Sequence, residues 1–552
     1  MTKVGVLLDS NVIPQYIYDN LVFLRQHSHV NIYLLRNSTS RATPTSVLNR
    51  LLRLPFRRPL HRALFKTVCW VEHRLLSISQ PTFRCSSPLR DTTDLGDEII
   101  EICPIFSKNK LTVRYSNRDI EKIRALDLEF IIRGNASGIF KGKILRSANH
   151  GIISFHHGDN RWNRGGPPGF WEVYLRKPAT GFIVQRLTEE LDNGEVLLRG
   201  EILTSSTYTE NQQRLFRDSQ PLLQRLLDYF LTNNQFPRPE KPIEAPPEIL
   251  KIPSALTTLL YIYKTLLYFA SGFLRRHILG RRQRWSVGFL NKDPSRMPPP
   301  TPTLIKNPSS RFFADPFLIK RFGRTVCYVE DYSFQNERGR ISAIELFPDQ
   351  TYKFLGPVIT ENFHLSFPFI FEFNNNLYMV PETSAARAVK LYRCVDFPMN
   401  WEFQFDLMRD ISAVDSLVLK KEGLWWLLTT VESLSNDSWS NLHAYYSDSP
   451  VNTDWHPHPG NPIVSEVDKA RNGGMLETNG GTPVRVRQRH GFRLYGKSIT
   501  VAVLDGLTTS GFTESEISLK MDWLPDEYDG FHHLHSLSHC TAFDFLRFER
   551  PD

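Results

Sequence analysis

From Trp285 onward the chain is cut into short segments rich in aromatic and β-branched residues, each closed by a turn signal. That texture restricts this half to an all-β fold. The segments are TVCYVED from Thr325, FIFEFNNNLYMVPE from Phe369, LVLKKEGLWWLLTT from Leu417, LHAYYSDSP from Leu442 and RLYGKSITVAVL from Arg493. FNNNLYMV and KKEGLWWLL read as hairpins turning on Asn or Gly. One hairpin per roughly fifty residues predicts a propeller of about five blades.

The amino-terminal part has a different texture. VGVLL from Val4, VNIYLL from Val30, LEFIIRG from Leu128, GIISF from Gly151 and TGFIVQRL from Thr180 are short runs, several of them apolar on consecutive residues. A strand covered on both faces of a parallel sheet reads this way. The expectation is a Rossmann-like α/β domain over residues 1–205. With no GxGxxG fingerprint, a dinucleotide is not implied.

Residues 206–284 read as a helical, basic linker, with a proline-rich break at PRPEKPIEAPP, and residues 285–545 as the propeller. Within the linker, ALTTLLYIYKTLLYFASGFL from Ala255 has the length of a membrane span, but Lys264 interrupts it and RRHILGRRQR follows. An interfacial helix with a basic flank is the coherent reading, and peripheral membrane contact its consequence.

The 552 residues carry a net charge of +9, concentrated in RLPFRRPLHRALFK from Arg53 and RRHILGRRQR from Arg275. No zinc-finger spacing or RNP motif accompanies these runs, so a nucleic-acid partner is not expected. Cys69, Cys85, Cys103, Cys327, Cys394 and Cys540 form no CxxC pair, so neither a zinc site nor a disulfide framework is indicated. The start, MTKVGVLLDSNVIPQ, has too short an apolar run for a signal peptide. The expected location is cytoplasmic, at the inner membrane surface where the basic helix holds it.

In GIISFHHGDNRWNRGGPPGFWEV, side chains alternate, so Ser154 and His156 share one face of a strand end while Phe155 and His157 take the other. The carboxyl edge of a parallel sheet is the usual ligand crevice. Asp192 falls in a loop just before Asn193 and Gly194, and a histidine with a carboxylate can move a proton. A structural histidine at a strand end is the competing reading.

These segments resemble the folate-dependent formyltransferases, which include methionyl-tRNA formyltransferase, glycinamide ribonucleotide transformylase and the sugar N-formyltransferases. The family's Asn-x-His, Arg-Gly, Thr-Gly-x-Thr and Leu-Asp-x-Gly correspond here to Ser154-Phe155-His156, Arg164-Gly165, Thr180-Gly181-Phe182-Ile183 and Leu191-Asp192-Asn193-Gly194. The resemblance implies 10-formyltetrahydrofolate as cofactor and transfer of its formyl group to an amine. It also implies that His156 is the electrostatic and acid/base group, that Asp192 sets its charge and accepts the proton, and that Ser154 stands in place of the oxyanion-binding asparagine. His157, Asn160, Arg164, Gly165, Trp171 and Thr180 are the accompanying candidates for substrate or cofactor binding. Asp9-Ser10-Asn11 departs from the family's Gly-Thr turn.

FADPF from Phe313, SFPF from Ser366, MVPET from Met379, VDSL from Val414 and ARNGG from Ala470 resemble the propellers of glycoside hydrolase family 43. More closely, they resemble the propeller-like region of glucosamine inositolphosphorylceramide transferases. That likeness makes Asp315, Glu382 and Asp415, with Arg471, the candidates for glycan binding or modification. His532, His533, His535 and His539 read as a last strand rather than a metal site.

The combined expectation is a multidomain enzyme: an α/β Rossmann-like formyltransferase domain, a helical linker and an all-β five-bladed propeller. It would formylate a nucleotide-linked amino sugar or related glycan in surface polysaccharide or glycolipid biosynthesis. The alternatives are a glycan-binding scaffold with a degenerate formyltransferase domain, and a glycosyltransferase or glycosidase active in the propeller.

Overall fold

The structure, a computed structural model, describes residues 1–38, 57–79, 88–108, 111–190, 193–244, 247–291, 301–432, 440–477, 483–519, 521, 523–524 and 527–550. Cys85, Leu191 and Asp192 lie outside the described residues. The chain forms two compact units, Met1–Leu267 and Tyr268–Asp552.

Unit 1 is built on a seven-stranded sheet. Its strands are β1 (Thr2–Leu8), β2 (Val30–Asn37), β3 (Glu98–Ile102), β4 (Phe130–Arg133), β5 (Ile152–His156), β6 (Ala179–Arg186) and β7 (Glu195–Leu203). They lie in the order β7-β6-β5-β4-β1-β2-β3. β1 to β5 run parallel, while β6 and β7 are antiparallel additions at one edge. Val4, Val6, Leu7 and Leu8 are buried on both faces of β1, with Val6 in register between Leu34 and Ile132. Continuous apolar runs suit central parallel strands for this reason.

Six helices are drawn on below: α1 (Gln15–Arg25), α2 (Arg57–Ser79), α3 (Asn117–Ala125), α4 (Phe170–Tyr174), α5 (Tyr208–Asn233) and α6 (Ala255–Phe273). α3 starts on Ser116, whose hydroxyl accepts from the Asp119 N–H, a standard N-cap. α5 departs from the linker reading of residues 206–284. Leu215, Leu222, Leu223, Leu226, Leu227 and Phe230 bury one face of it in the cluster that holds Val6, Phe130 and Ile153. By packing, α5 is part of unit 1.

Unit 2 holds three four-stranded antiparallel sheets, each ordered as in the sequence. They begin with Arg311–Arg321, Ser366–Phe373 and Ala413–Lys421. An eight-stranded sheet completes the unit. Its halves are Thr303–Leu304, Arg282–Asn291, Cys540–Glu549 and Leu534–Ser536, then Asn472–Leu476, Val484–Gly491, Leu494–Thr508 and Gly511–Ile517. The halves join through a parallel pairing of Leu476 with Ser536. Arg282–Asn291 pairs along its whole length with Cys540–Glu549, so strands far apart in sequence lie side by side.

The first hairpin of each four-stranded sheet turns on two residues of positive φ: Phe322-Gly323, Asn374-Asn375 and Glu422-Gly423. Two left-handed residues define the type I′ turn, whose twist matches the strands it joins. Phe322 is the misfit, a large aromatic in a left-handed position and 78% exposed. Phe322→Asn should raise stability by about 0.5–1 kcal/mol in urea unfolding, because asparagine tolerates this conformation at lower cost. A midpoint unchanged or lower would contradict that.

Candidate functional site

In unit 1, β5 brings Ser154 and His156 to one face at its carboxyl end, opposite Gln185 and Ile183 of β6. Both are buried. His156 Nε2 stands 3.4 Å from the Asn163 carbonyl, and the Ser154 hydroxyl donates to the Phe155 carbonyl at 3.0 Å. The loop after β5 folds closely over the histidine: a Cβ on Gly158 would come within 2.8 Å of Nε2. Asp192 lies outside the described residues, so the predicted His–Asp pair has no geometry here.

That loop is held down by charge. Arg199 of β7 donates to Asp159 at 2.6 Å, to Asn160 Oδ1 at 3.0 Å and to Glu240 at 2.8 Å. Burial acts to raise the Asp159 carboxyl, but hydrogen bonds from Arg161 and the charges of Arg199 and Arg161 outweigh it and hold it below the ordinary range. Asn160 is therefore engaged by Arg199. Farther along, Arg164 Nε donates to the Pro247 carbonyl at 2.8 Å, and Gly165, at φ 107°, pairs beside Leu250. A Cβ at Gly165 would sit 2.3 Å from the Leu250 carbonyl oxygen.

His157 takes the other face, as strand alternation dictates. It stacks on Phe155 at 5.2 Å, meets Tyr16 of α1 and Phe216 of α5 edge-on, and pairs with the Ser219 hydroxyl at 3.1 Å. Burial pulls its pKa down to about 3, so the ring is neutral. Trp171 on α4 packs on Phe170 and Tyr174, with its Nε1 3.4 Å from the Gly166 carbonyl. The Thr180 hydroxyl is enclosed with Thr204 and Asn211. The structure thus groups Ser154, His156 and the loop bearing Asn160, and gives His157, Trp171 and Thr180 packing neighbours away from that face.

Glu172 was not foreseen. It is fully buried, its Oε1 accepts from Asn163 Nδ2 at 3.2 Å, and burial pushes its carboxyl up to about 7. In sequence it reads as an ordinary acid in the first turn of a helix, and only the fold over Asn163 makes it unusual.

In unit 2 the first strands of four successive sheet segments break register at the same place: Ala314/Phe317, Ser366/Phe369, Val414/Leu417 and Asn472/Met475. In three of them the residue after the break point has positive φ, 50° at Asp315, 44° at Phe367 and 51° at Asp415. Bulges of this kind re-aim side chains, and non-glycine residues hold this conformation only where packing over-determines it. Two of the three bulge residues are the predicted aspartates.

Asp315 lies between two histidines. His532 Nε2 is 3.2 Å from its Oδ1 and His533 Nδ1 is 3.6 Å from the same oxygen. His532 Nδ1 reaches Asp544 at 2.9 Å, giving a buried Asp–His–Asp row. Burial pulls the His532 ring down, but the charge of Asp544 and hydrogen bonds to both carboxylates prevail and hold it at about 10. Asp315 stays ionised: burial would raise it, and the His532 hydrogen bond with the charges of both histidines lowers it instead.

Beside this row, Asp415 and Glu382 share Arg471, at 2.5 Å and 3.9 Å. The guanidinium lies over the Tyr495 ring, 4.9 Å from its centroid. Burial pushes Asp415 up, Arg471 pulls it back, Glu382 and Asp315 push it up again, and it settles at about 7. Glu330, paired across the strand from Ala314, is driven well above its ordinary value by burial and by the charges of Asp315 and Glu382. All four predicted residues of this half are therefore in one electrostatically connected group, its carboxylates buried and Arg471 half-buried. Glu330, His532, Asp544 and Tyr495 complete it, and nothing in the sequence spacing singled out Glu330.

Among the described residues, Asp315, His532 and Asp544 also present donor atoms within 4.8 Å of one another, close enough to hold a metal ion. In the arrangement described, His532 spends both ring nitrogens on the two carboxylates.

Comparison with known proteins finds a family likeness within unit 2. Residues 302–534 match the family described as "Glucosamine inositolphosphorylceramide transferase 1, N-terminal". Glucosamine inositolphosphorylceramide transferase 1 of Arabidopsis thaliana is 33% identical over 217 residues, 39% of this chain and 28% of the relative. The chain therefore spans less than a third of the length of that curated relative. Among solved structures, a thermostable family-43 glycoside hydrolase is similar over 39% of this chain and 78% of its own, at 12% identity and a TM-score of 0.30. A sugar N-formyltransferase from Shewanella sp FDAARGOS_354 is similar over 48% of this chain and 88% of its own, at 14% identity and a TM-score of 0.28.

Proposed function

We propose that unit 1 is an N-formyltransferase acting on the amine of an amino sugar in glycan or glycolipid assembly, with 10-formyltetrahydrofolate as formyl donor, and that it works in the cytoplasm. The observation carrying this reading is the pairing of Ser154 and His156 on one face at the carboxyl end of β5, in a sheet whose strand order reverses at β1. Two hydrogen-bond donors on one face suit, in kind, the oxyanion that forms when an amine attacks a formyl carbon. When bound, the folate supplies that activated carbon. His156 would hold a proton at Nε2 toward the oxygen, and the Ser154 hydroxyl would turn from the Phe155 carbonyl to donate beside it. The loop bearing Asn160 would have to lift to admit substrate and would then exclude water. Incubation with labelled 10-formyltetrahydrofolate and a panel of amino sugars should yield a formamide. No product with any amine would sink the reading.

A second reading concerns unit 2. Taking the halves of the eight-stranded sheet as separate blades gives five blades of four strands, and the glycan-directed role fits the carboxylates Asp315 and Asp415 on first strands with Glu330 and Glu382 on second strands. The specific support is the split between Asp315, held low against its burial by His532, and Glu330, driven well above its ordinary value by burial and neighbouring charge, since environments that push two carboxyls apart suit an acid/base pair. Glu330→Gln and Asp315→Asn should each lower any glycan-cleaving or glycan-transferring activity by at least about 10²-fold. Binding of glycan retained with no turnover in the wild type would leave this half a recognition module.

A further inference from the structure

Helices α2 and α6 rest on one buried aromatic cluster in unit 1. Phe65 of α2 and Tyr261 of α6 each pack on Phe170 at 5.3 Å, and the Tyr261 hydroxyl bonds to Glu72 of α2. Their other faces carry Trp70, Leu75 and Ile78 on α2 and Leu256, Leu259 and Leu266 on α6, each more than half exposed. Positions 256, 259, 263 and 266 form a single stripe along α6. Scattered apolar residues are normal on a surface, but a stripe this long marks a contact.

Charge identifies the partner. Glu72 is the one acidic residue in α2 and is buried, and α6 contains none. Arg62, Lys66 and Arg74 are exposed on α2, and after α6 the chain continues through exposed Arg275, Arg276, Arg281 and Arg282. An apolar face on α2 flanked by exposed cations, and an apolar stripe on α6 followed in the sequence by arginines, both without exposed carboxylates on the helices, complement an anionic bilayer. No described helix is long and apolar enough to cross a membrane, so the helices would lie in its interface.

We propose that α2 and α6 dock unit 1 on an anionic membrane through these two faces, independently of the formyl-transfer reading.

The test is co-sedimentation of the full chain with vesicles of phosphatidylglycerol and phosphatidylcholine. Binding should weaken with salt and on removal of the anionic lipid, and the paired changes Leu259→Glu/Leu266→Glu and Leu75→Glu/Ile78→Glu should each reduce it at least about tenfold. Both pairs are surface changes and should leave the circular dichroism spectrum unaltered. No binding by the wild type, equal binding by the variants, or loss of a solution dimer without vesicle binding would overturn the docking.

Discussion

His532→Ala is expected to lower the thermal midpoint of unit 2 by about 10 °C, from a loss of about 3–5 kcal/mol. The imidazolium stands between Asp315 and Asp544, and removing it leaves two buried carboxylates facing each other without a cation. The wild type should report the same interaction through pH. Burial lowers the His532 ring and the two carboxylates more than reverse this, so its folded value of about 10 lies above the ordinary histidine value near 6.5. A raised value means that the stabilisation is complete below about 6.5 and is lost as pH rises through about 10. Asp415, also raised, to about 7, adds to the decline because its folded-state carboxyl resists ionisation once pH passes its unfolded value. Calorimetry from pH 6 to pH 10 should therefore show a falling midpoint in the wild type and a flatter profile in His532→Ala. Parallel profiles would show that this row carries no pH-dependent stability.

His156→Ala should reduce formyl transfer by at least about 10²-fold with the fold intact, the cost of losing a positioned donor to an oxyanion. Ser154→Asn should move the other way. A carboxamide reaches farther than a hydroxyl, carries two donor hydrogens and need not satisfy its own neighbour's carbonyl as the Ser154 hydroxyl does. If Ser154 limits the rate, kcat should rise several-fold with little change in KM. Transfer undiminished in His156→Ala would remove this strand end from the chemistry.

The five apolar runs read from the sequence of unit 1 all became strands of the sheet, because a strand covered on both faces must be apolar throughout. β3, EIIEI, escaped notice: it is an edge strand, largely exposed, and its flanking glutamates break the run. The hairpins FNNNLYMV and KKEGLWWLL were legible because their turns carry Asn374, Asn375 and Gly423, residues that tolerate positive φ. The separation of His156 from His157 followed from alternation alone, and Asp315, Glu382, Asp415 and Arg471 could be named before any distance between them existed. The partners of these groups were not legible. Glu330 and Asp544 matter because burial and neighbouring charge change their protonation, and both effects arise only when remote strands meet. Asn160 is similar, since Arg199 of β7 engages its side chain from 39 residues away.

The pairing of Arg282–Asn291 with Cys540–Glu549 joins segments separated by most of unit 2. During synthesis the earlier strand emerges with its polar edge unmatched and must wait while the intervening sheets form. Its neighbour on that side arrives only after some 250 further residues, a delay that at about 5–20 residues per second amounts to tens of seconds. Unit 1, whose seven-stranded sheet is complete by Leu203, can assemble in that interval. The nascent chain is then half folded, with the sheet of unit 1 finished and a sheet of unit 2 still lacking its partner strand, and it is in this window that chaperones have the most to protect.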